Sequence, residues 1–131
     1  MPTAVTKKLT PVLIVEASEP CLPLWMERLG WSKTVEVPEG DQLGFVILAK
    51  DGAELMYQTW ASVEKDLGRP SRRPQGTSVG LFIEVSDLDD IEKRLAGLPI
   101  ALPRRRTFYG MDEIGVTEAG GHMVVFAQPA S

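Results

Sequence analysis

One cysteine and one histidine, Cys21 and His122, stand in a chain of 131 residues. A single thiol excludes an intrachain disulfide framework and any cysteine-rich zinc site. A single imidazole makes a Ser-His-Asp hydrolase implausible, and no glycine motif that cradles phosphate is present. No apolar run approaches the roughly 18 residues of a membrane span, and residues 1–8 lack the apolar centre of a signal peptide. A soluble, cytoplasmic protein is the expectation. Neither sign of charge dominates: 14 Lys and Arg against 18 Asp and Glu give a net charge of -4. With a pI near 5.0, the field of the whole chain favours neither nucleic acid nor an anionic membrane as partner. Arg69, Arg72 and Arg73, and the run Arg104-Arg105-Arg106, are the local exceptions and read as solvated surface.

What is present is enough hydrophobic material, 44%, for one core or for two small modules sharing one. Two stretches have the same form. Residues 44–49 and 53–58, joined at Lys50-Asp51-Gly52, and residues 109–116 and 122–128, joined at Thr117-Glu118-Ala119-Gly120-Gly121, both read as β-hairpins. Tyr57 and Phe126 are aromatic counterparts within them. The match extends outward. Residues 9–16 predict a strand with Pro11 near its start, where a missing N–H costs least. Ser18 is a candidate cap for a helix carrying Leu22, Trp25, Met26 and Leu29 on one face and ending at Gly30. Residues 31–37 predict a second strand. After the hairpin, residues 61–67 predict a short helix, and Gly68, Pro70, Pro74 and Gly76 forbid regular structure beyond it. Residues 78–85 then predict a strand, Ser86 or Asp87 a cap for a helix with Leu88, Ile91 and Leu95 on one face, and residues 98–106 an edge strand kept open by Pro99 and Pro103. Placing Val15 on Val85 puts Gly30 on Gly97 and Gly52 on Gly121, at an offset near 70 throughout. The chain reads as one α+β domain over residues 1–131: a βαβββ module at 9–58, a linker at 59–77 and a second βαβββ module at 78–128.

Two tandem βαβββ modules resemble the plan of the vicinal oxygen chelate superfamily, which includes glyoxalases, extradiol dioxygenases and bleomycin-resistance proteins. The segments Leu9-Thr10-Pro11-Val12-Leu13-Ile14-Val15-Glu16 and Glu27-Arg28-Leu29-Gly30-Trp31 look like its patterns. Phe108-Tyr109-Gly110-Met111, followed by Glu118-Ala119-Gly120-Gly121-His122, is most similar to the bleomycin-resistance and glyoxalase-like branch. There a Tyr-Gly-Met segment precedes an Asp-Pro-x-Gly-Asn turn, and this chain departs from it with Glu118-Ala119 and His122. The resemblance implies curved mixed sheets around a cavity, with each helix on the convex side. Alternation along the strands then turns Thr10, Val12, Ile14, Glu54, Met56 and Gln58 inward from the first module. Gly80, Phe82, Glu84, Met123, Val125 and Ala127 face inward from the second. Such a cavity is mostly apolar and suits an organic ligand.

Metal-dependent members of the superfamily take one ligand from the first and one from the last strand of each module. The matching positions here are Thr10, Met56, Gly80 and Val125, none of them a usual ligand, and a shift of two residues offers only Glu54. No metal and no cofactor are therefore expected. His122 has no partner identifiable in the sequence and reads as a polar loop residue; Cys21, beside Leu22 and Pro23, reads as a half-buried structural thiol. Glu54 and Glu84 are the candidate proton-transfer bases if the chain has turnover. Gln58, Trp60, Phe82, Tyr109, Met56 and Met123 are the candidate ligand contacts, Trp60 and Tyr109 by stacking and Gln58 by orienting. The reading is a metal-independent protein that binds a natural product or antibiotic-like molecule, with resistance by sequestration as one use. The resemblance also implies a homodimer. The alternative is a glyoxalase- or dioxygenase-like enzyme of the same fold. A third is an interaction module built on the linker arginines Arg69 to Arg73.

Overall fold

The computed structural model describes residues 4–70, 73 and 79–130. Arg72, the breakers Pro74 and Gly76, and Ser78 lie outside the described residues. Two four-stranded mixed sheets make up the molecule. The first contains β1 (Val12–Val15), β2 (Ser32–Glu39), β3 (Gln42–Lys50) and β4 (Ala53–Thr59) in the order β1-β4-β3-β2. The second contains β5 (Gly80–Glu84), β6 (Leu102–Arg106), β7 (Met111–Thr117) and β8 (Met123–Pro129) in the order β5-β8-β7-β6. In each sheet the first strand runs parallel to the last, and the hairpin neighbours are antiparallel. Leu13 lies beside Tyr57 and Ile83 beside Phe126, so the two aromatics occupy the same place in the two halves.

The turns follow their residues. Asp51 and Gly52, the two residues between the paired Lys50 and Ala53, both have positive φ, 50° and 84°. That is the backbone of a two-residue hairpin loop, which an Asp-Gly pair adopts readily. Helix α1 (Trp60–Leu67) starts at Thr59, whose hydroxyl accepts from Ser62 N, and stops at Gly68. Helix α2 (Leu88–Arg94) starts at Asp87, whose carboxylate accepts from Asp90 N. These side chains satisfy backbone donors that have no partner within a helix.

The expected helix after β1 takes a different form. Pro20 and Pro23 each lack an N–H, so the segment divides into a 3-10 turn at Glu19–Cys21 and a π turn at Leu24–Arg28. Ser18 does not cap it: the hydroxyl donates to Leu43 O at 2.5 Å, while Leu43 N donates to Glu19 Oε2 at 2.8 Å. The two residues thereby tether the segment to β3. Its apolar face still points as the spacing requires, with Trp25 fully buried and Leu29 nearly so. At the other end of the chain, β6 begins only at Leu102, and Pro103 sits in the register shift between Leu102 and Arg105, where a strand tolerates proline.

One core joins the halves. Leu13, Val46, Leu48, Leu55 and Tyr57 of the first sheet, and Ile114, Val116, Val124 and Phe126 of the second, pack with Trp25, Leu29, Leu88 and Leu95 from the helical layer between them. Burying each of the large side chains stabilises the fold by about 1.5–3 kcal/mol. Arg28 reinforces the join by donating to the carbonyls of Arg94 and Ala96 at 3.1 and 2.8 Å. Both sheets therefore turn their helix-covered sides toward this shared core. Their opposite faces point away from it.

Candidate functional site

Residues paired across a sheet share a face, so the register defines each uncovered surface. On the first sheet, Val12, Met56, Ile47 and Val35 form one row, and Ile14, Gln58, Phe45 and Val37 the next. On the second, Phe82, Val125, Gly115 and Leu102 form one row, and Glu84, Ala127, Glu113 and Arg105 another. The apolar rows of these faces are only partly covered: Phe82 is 55% exposed, Val12 44% and Met123 37%. Exposed apolar residues gathered on one face mark an interaction surface rather than a solvated one.

The sequence candidates fall into separate groups. Met56 and Gln58 lie two residues apart on β4 and so on one face, and Gln58 donates from Nε2 to Ser62 Oγ at 3.2 Å. Phe82 and Met123 lie together on the second. Trp60 opens α1, where the Arg73 guanidinium sits 5.7 Å from its ring centre, held by Glu16 and Glu64 at 2.6 Å each. Its indole is thus partnered by a cation of the chain itself. Glu54 and Glu84 belong to different sheets. Glu54 is not a desolvated carboxylate: Lys8 Nζ lies 2.7 Å away, and the Thr10 hydroxyl donates to it at 3.3 Å. The hydrogen bond from Lys8 holds its pKa below the usual range, which weakens it as a base.

Glu113 was not a sequence candidate, yet it carries the most organised polar group on the second face. It is 2% exposed, accepts from Arg105 Nε and Nη2 at 2.9 and 2.8 Å, and accepts from the Tyr109 hydroxyl at 2.9 Å. The bond to Glu113 raises the pKa of Tyr109, keeping the phenol protonated. The turn at Thr107 to Gly110 aims Tyr109 at this carboxylate, with Thr107 Oγ1 accepting from Met111 N and Gly110 at a φ of 82°. Part of the signal was available: Arg105 and Glu113 pair across the hairpin and share one face, while Tyr109 lies in the turn that joins their strands.

A second polar group lies in the core between the halves. Glu118, in the five-residue β7–β8 loop, accepts from the Tyr57 hydroxyl at 2.5 Å and from His122 N at 2.6 Å, and His122 Nδ1 lies 2.7 Å from its Oε1. Beside a carboxylate, Nδ1 is the ring nitrogen that carries the proton. Trp25 Nε1 donates to the Tyr57 oxygen at 3.1 Å. Burial pushes the Glu118 pKa up, but the bonds from Tyr57, His122 and Gly120 outweigh it and leave the carboxyl below its ordinary value of 4.5. Burial, reinforced by Glu118, raises the Tyr57 phenol and the Cys21 thiol, the latter to about 12. His122, expected as a solvated loop residue, is 6% exposed because Glu118 gives its imidazole a buried partner. Cys21 is fully rather than half buried, with its thiol 3.6 Å from Ala17 O. With every member shielded from solvent, this group joins the halves and has no access to a ligand.

The donor set of the uncovered faces does not fit a divalent cation. The register sets Val12 rather than Thr10 beside Met56, and Phe82 rather than Gly80 beside Val125, and none of these six residues is a usual ligand. Among the described residues no three His, Cys, Asp or Glu side chains are grouped to hold a metal. No helix among them is long and apolar enough to cross a membrane. A cavity of about 490 Å³ opens beside the β3–β4 turn, lined by Lys8, Ser32, Ala49 and Glu54 among others. A second, of about 330 Å³, lies where the two halves meet.

Paired βαβββ units with a shared helical layer define a class of fold rather than one activity. No family model and no curated protein matches the chain. Solved structures do. The chain is similar to a glyoxalase/bleomycin resistance protein/dioxygenase from Nocardioides, with 16% identity, a TM-score of 0.74, and coverage of 98% of this chain and 87% of that one. It is also similar to a glyoxalase-related enzyme from Fulvimarina pelagi (19%, 0.73, 94% and 88%). A lactoylglutathione lyase from Agrobacterium tumefaciens gives 13%, 0.73, 98% and 95%. The chain has the glyoxalase/bleomycin-resistance/dioxygenase fold, the fold of the vicinal oxygen chelate superfamily.

Proposed function

We propose that this protein binds a small natural product or antibiotic-like molecule on its uncovered sheet faces without a resident metal. The observation that carries the reading is the filling of the rows Val12–Met56 and Phe82–Val125 with apolar side chains where a metal-dependent site needs donors. Apolar walls with a few fixed polar groups describe a small-molecule site. Here the fixed groups are the Glu113–Arg105–Tyr109 cluster, the Gln58 amide and the Glu54–Lys8 pair. In a single chain each face is open on one side. A homodimer that sets the face of one chain against that of its partner would close the site and cover Phe82, Met123 and Val12. Isothermal titration calorimetry against bleomycin-type and other aromatic natural products tests the reading, together with sedimentation to establish the oligomeric state. A saturable heat that Phe82→Asp abolishes supports it. Absence of saturable heat across a broad panel overturns it.

A further inference from the structure

The cavity of about 330 Å³ where the halves meet lies at the β5 edge of the second sheet, its apolar wall drawn from the helix-covered side of that sheet and Glu84 reaching it from the other face. Leu29 and Trp31 contribute from the first half, and Ile83, Val85, Ile91 and Phe126 from the second. Its size falls within the range of small-molecule sites. Trp31 is only partly covered; its ring packs edge-on against the buried Trp25 with centres 5.0 Å apart and planes at 72°.

The charges around this apolar pocket are unequal. Asp51, Glu84, Asp87 and Asp90 line it against one cation, Lys50. Two of the four carboxylates are neutralised, Asp51 by Lys50 at 3.3 Å and Asp90 by Arg94 at 2.8 Å. Among the described residues no ion pair engages Glu84 or Asp87; one oxygen of Asp87 accepts from Asp90 N. At the nearby start of α2 two backbone donors are already taken, Leu88 N by Gln128 Oε1 at 2.7 Å and Asp90 N by Asp87. An aromatic ring and uncompensated carboxylates around one apolar hollow select a cation with a flat apolar body.

We infer that the crevice between the halves, walled by Trp31, Ile91 and Phe126 and edged by Glu84 and Asp87, is a second ligand site, one that takes small aromatic cations. The probe is N-methylquinolinium, with quinoline as its uncharged counterpart at neutral pH, followed in nitrogen–proton correlation spectra with the Trp31 indole signal assigned through Trp31→Phe. The Trp31 signal moves saturably with N-methylquinolinium, and quinoline binds about tenfold more weakly or worse. The double variant Glu84→Gln/Asp87→Asn, in which Asn retains the helix cap, weakens binding of the cation about three- to tenfold. Ile91→Trp fills the crevice and abolishes it. The inference is overturned if no saturable movement occurs at Trp31, if quinoline binds as tightly as the cation, or if the double variant binds unchanged. Because the double variant removes no core side chain, it decides the matter even if Ile91→Trp fails to fold.

Discussion

Glu118→Ala is expected to be among the most damaging single substitutions in the chain, although the residue sits in a turn. The side chain gathers donors from the Tyr57 hydroxyl, His122 N, His122 Nδ1 and the Gly120 backbone within the buried core. Each buried donor left unpaired costs about 1–3 kcal/mol, and removing one member of a buried charged group costs about 3–5 kcal/mol in all. Not every donor is stranded by the alanine, since the loop can admit water at His122, so the expected loss is about 3–5 kcal/mol rather than the sum of the parts. Glu118→Gln keeps the shape and one acceptor oxygen and is expected to lose about 1–2 kcal/mol, the difference between charged and neutral hydrogen bonds. Urea unfolding followed by tryptophan fluorescence reads both, with an unchanged slope showing that stability alone has altered. The pH dependence supplies an independent sign. Because the folded carboxyl lies below 4.5, the unfolded chain binds more protons just below that value, so stability is present above it and is lost as pH falls through the folded pKa. Glu118→Gln flattens that acid limb. A loss below about 1 kcal/mol for Glu118→Ala, or strict additivity of Glu118→Gln with Tyr57→Phe, refutes the account, because groups sharing one hydrogen bond must couple.

The Cys21 thiol, pushed up to about 12 by burial, resists alkylation in the folded protein and reacts at the ordinary rate in urea, as iodoacetamide labelling would show. The same shift makes stability fall as pH rises from 9.0 toward 12, the interval in which only the unfolded thiol loses its proton; Cys21→Ala shallows that alkaline limb. Gly120→Ala destabilises by about 1–3 kcal/mol in thermal or urea unfolding, since its new carbon would sit 2.6 Å from Val15 Cγ1 and 3.0 Å from both Glu118 carboxylate oxygens. Glu113→Gln lowers the Tyr109 pKa toward the usual value near 10, because the acceptor that holds the phenol protonated loses its charge; ultraviolet titration of the phenolate against Tyr109→Phe measures it.

The succession of strands and the facing of their side chains were legible in the sequence because alternation and turn chemistry act locally. Val15 aligned on Val85, the Asp51-Gly52 reversal and the paired aromatics Tyr57 and Phe126 were all readable from neighbours in the chain. The route from Ser18 to Leu29 was harder: the apolar spacing marked the buried face correctly, but Pro20 and Pro23 decide the backbone hydrogen bonds, and spacing does not weigh them. The polar groups were least legible. Glu118 and His122 look like an ordinary surface turn until Tyr57 arrives from 61 residues away. Only one clue was local, namely that the Tyr57 repeat mate is a phenylalanine, so one hydroxyl in the pair needed a partner of its own. Glu113 escaped notice because a glutamate on an alternating strand reads as solvated unless its hairpin neighbours Arg105 and Tyr109 are considered with it.

The bond from Tyr57 to Glu118 gives the two halves of this chain a means of knowing one another. Severed between the sheets, the first fragment would carry a buried phenol with no acceptor for its proton, and the second a carboxylate short of one donor. Neither fragment would tolerate solitude well, and each would complete the other. A doubled sequence has in this way lost its interchangeability: two first halves, or two second halves, would lack the complementary groups that close the seam.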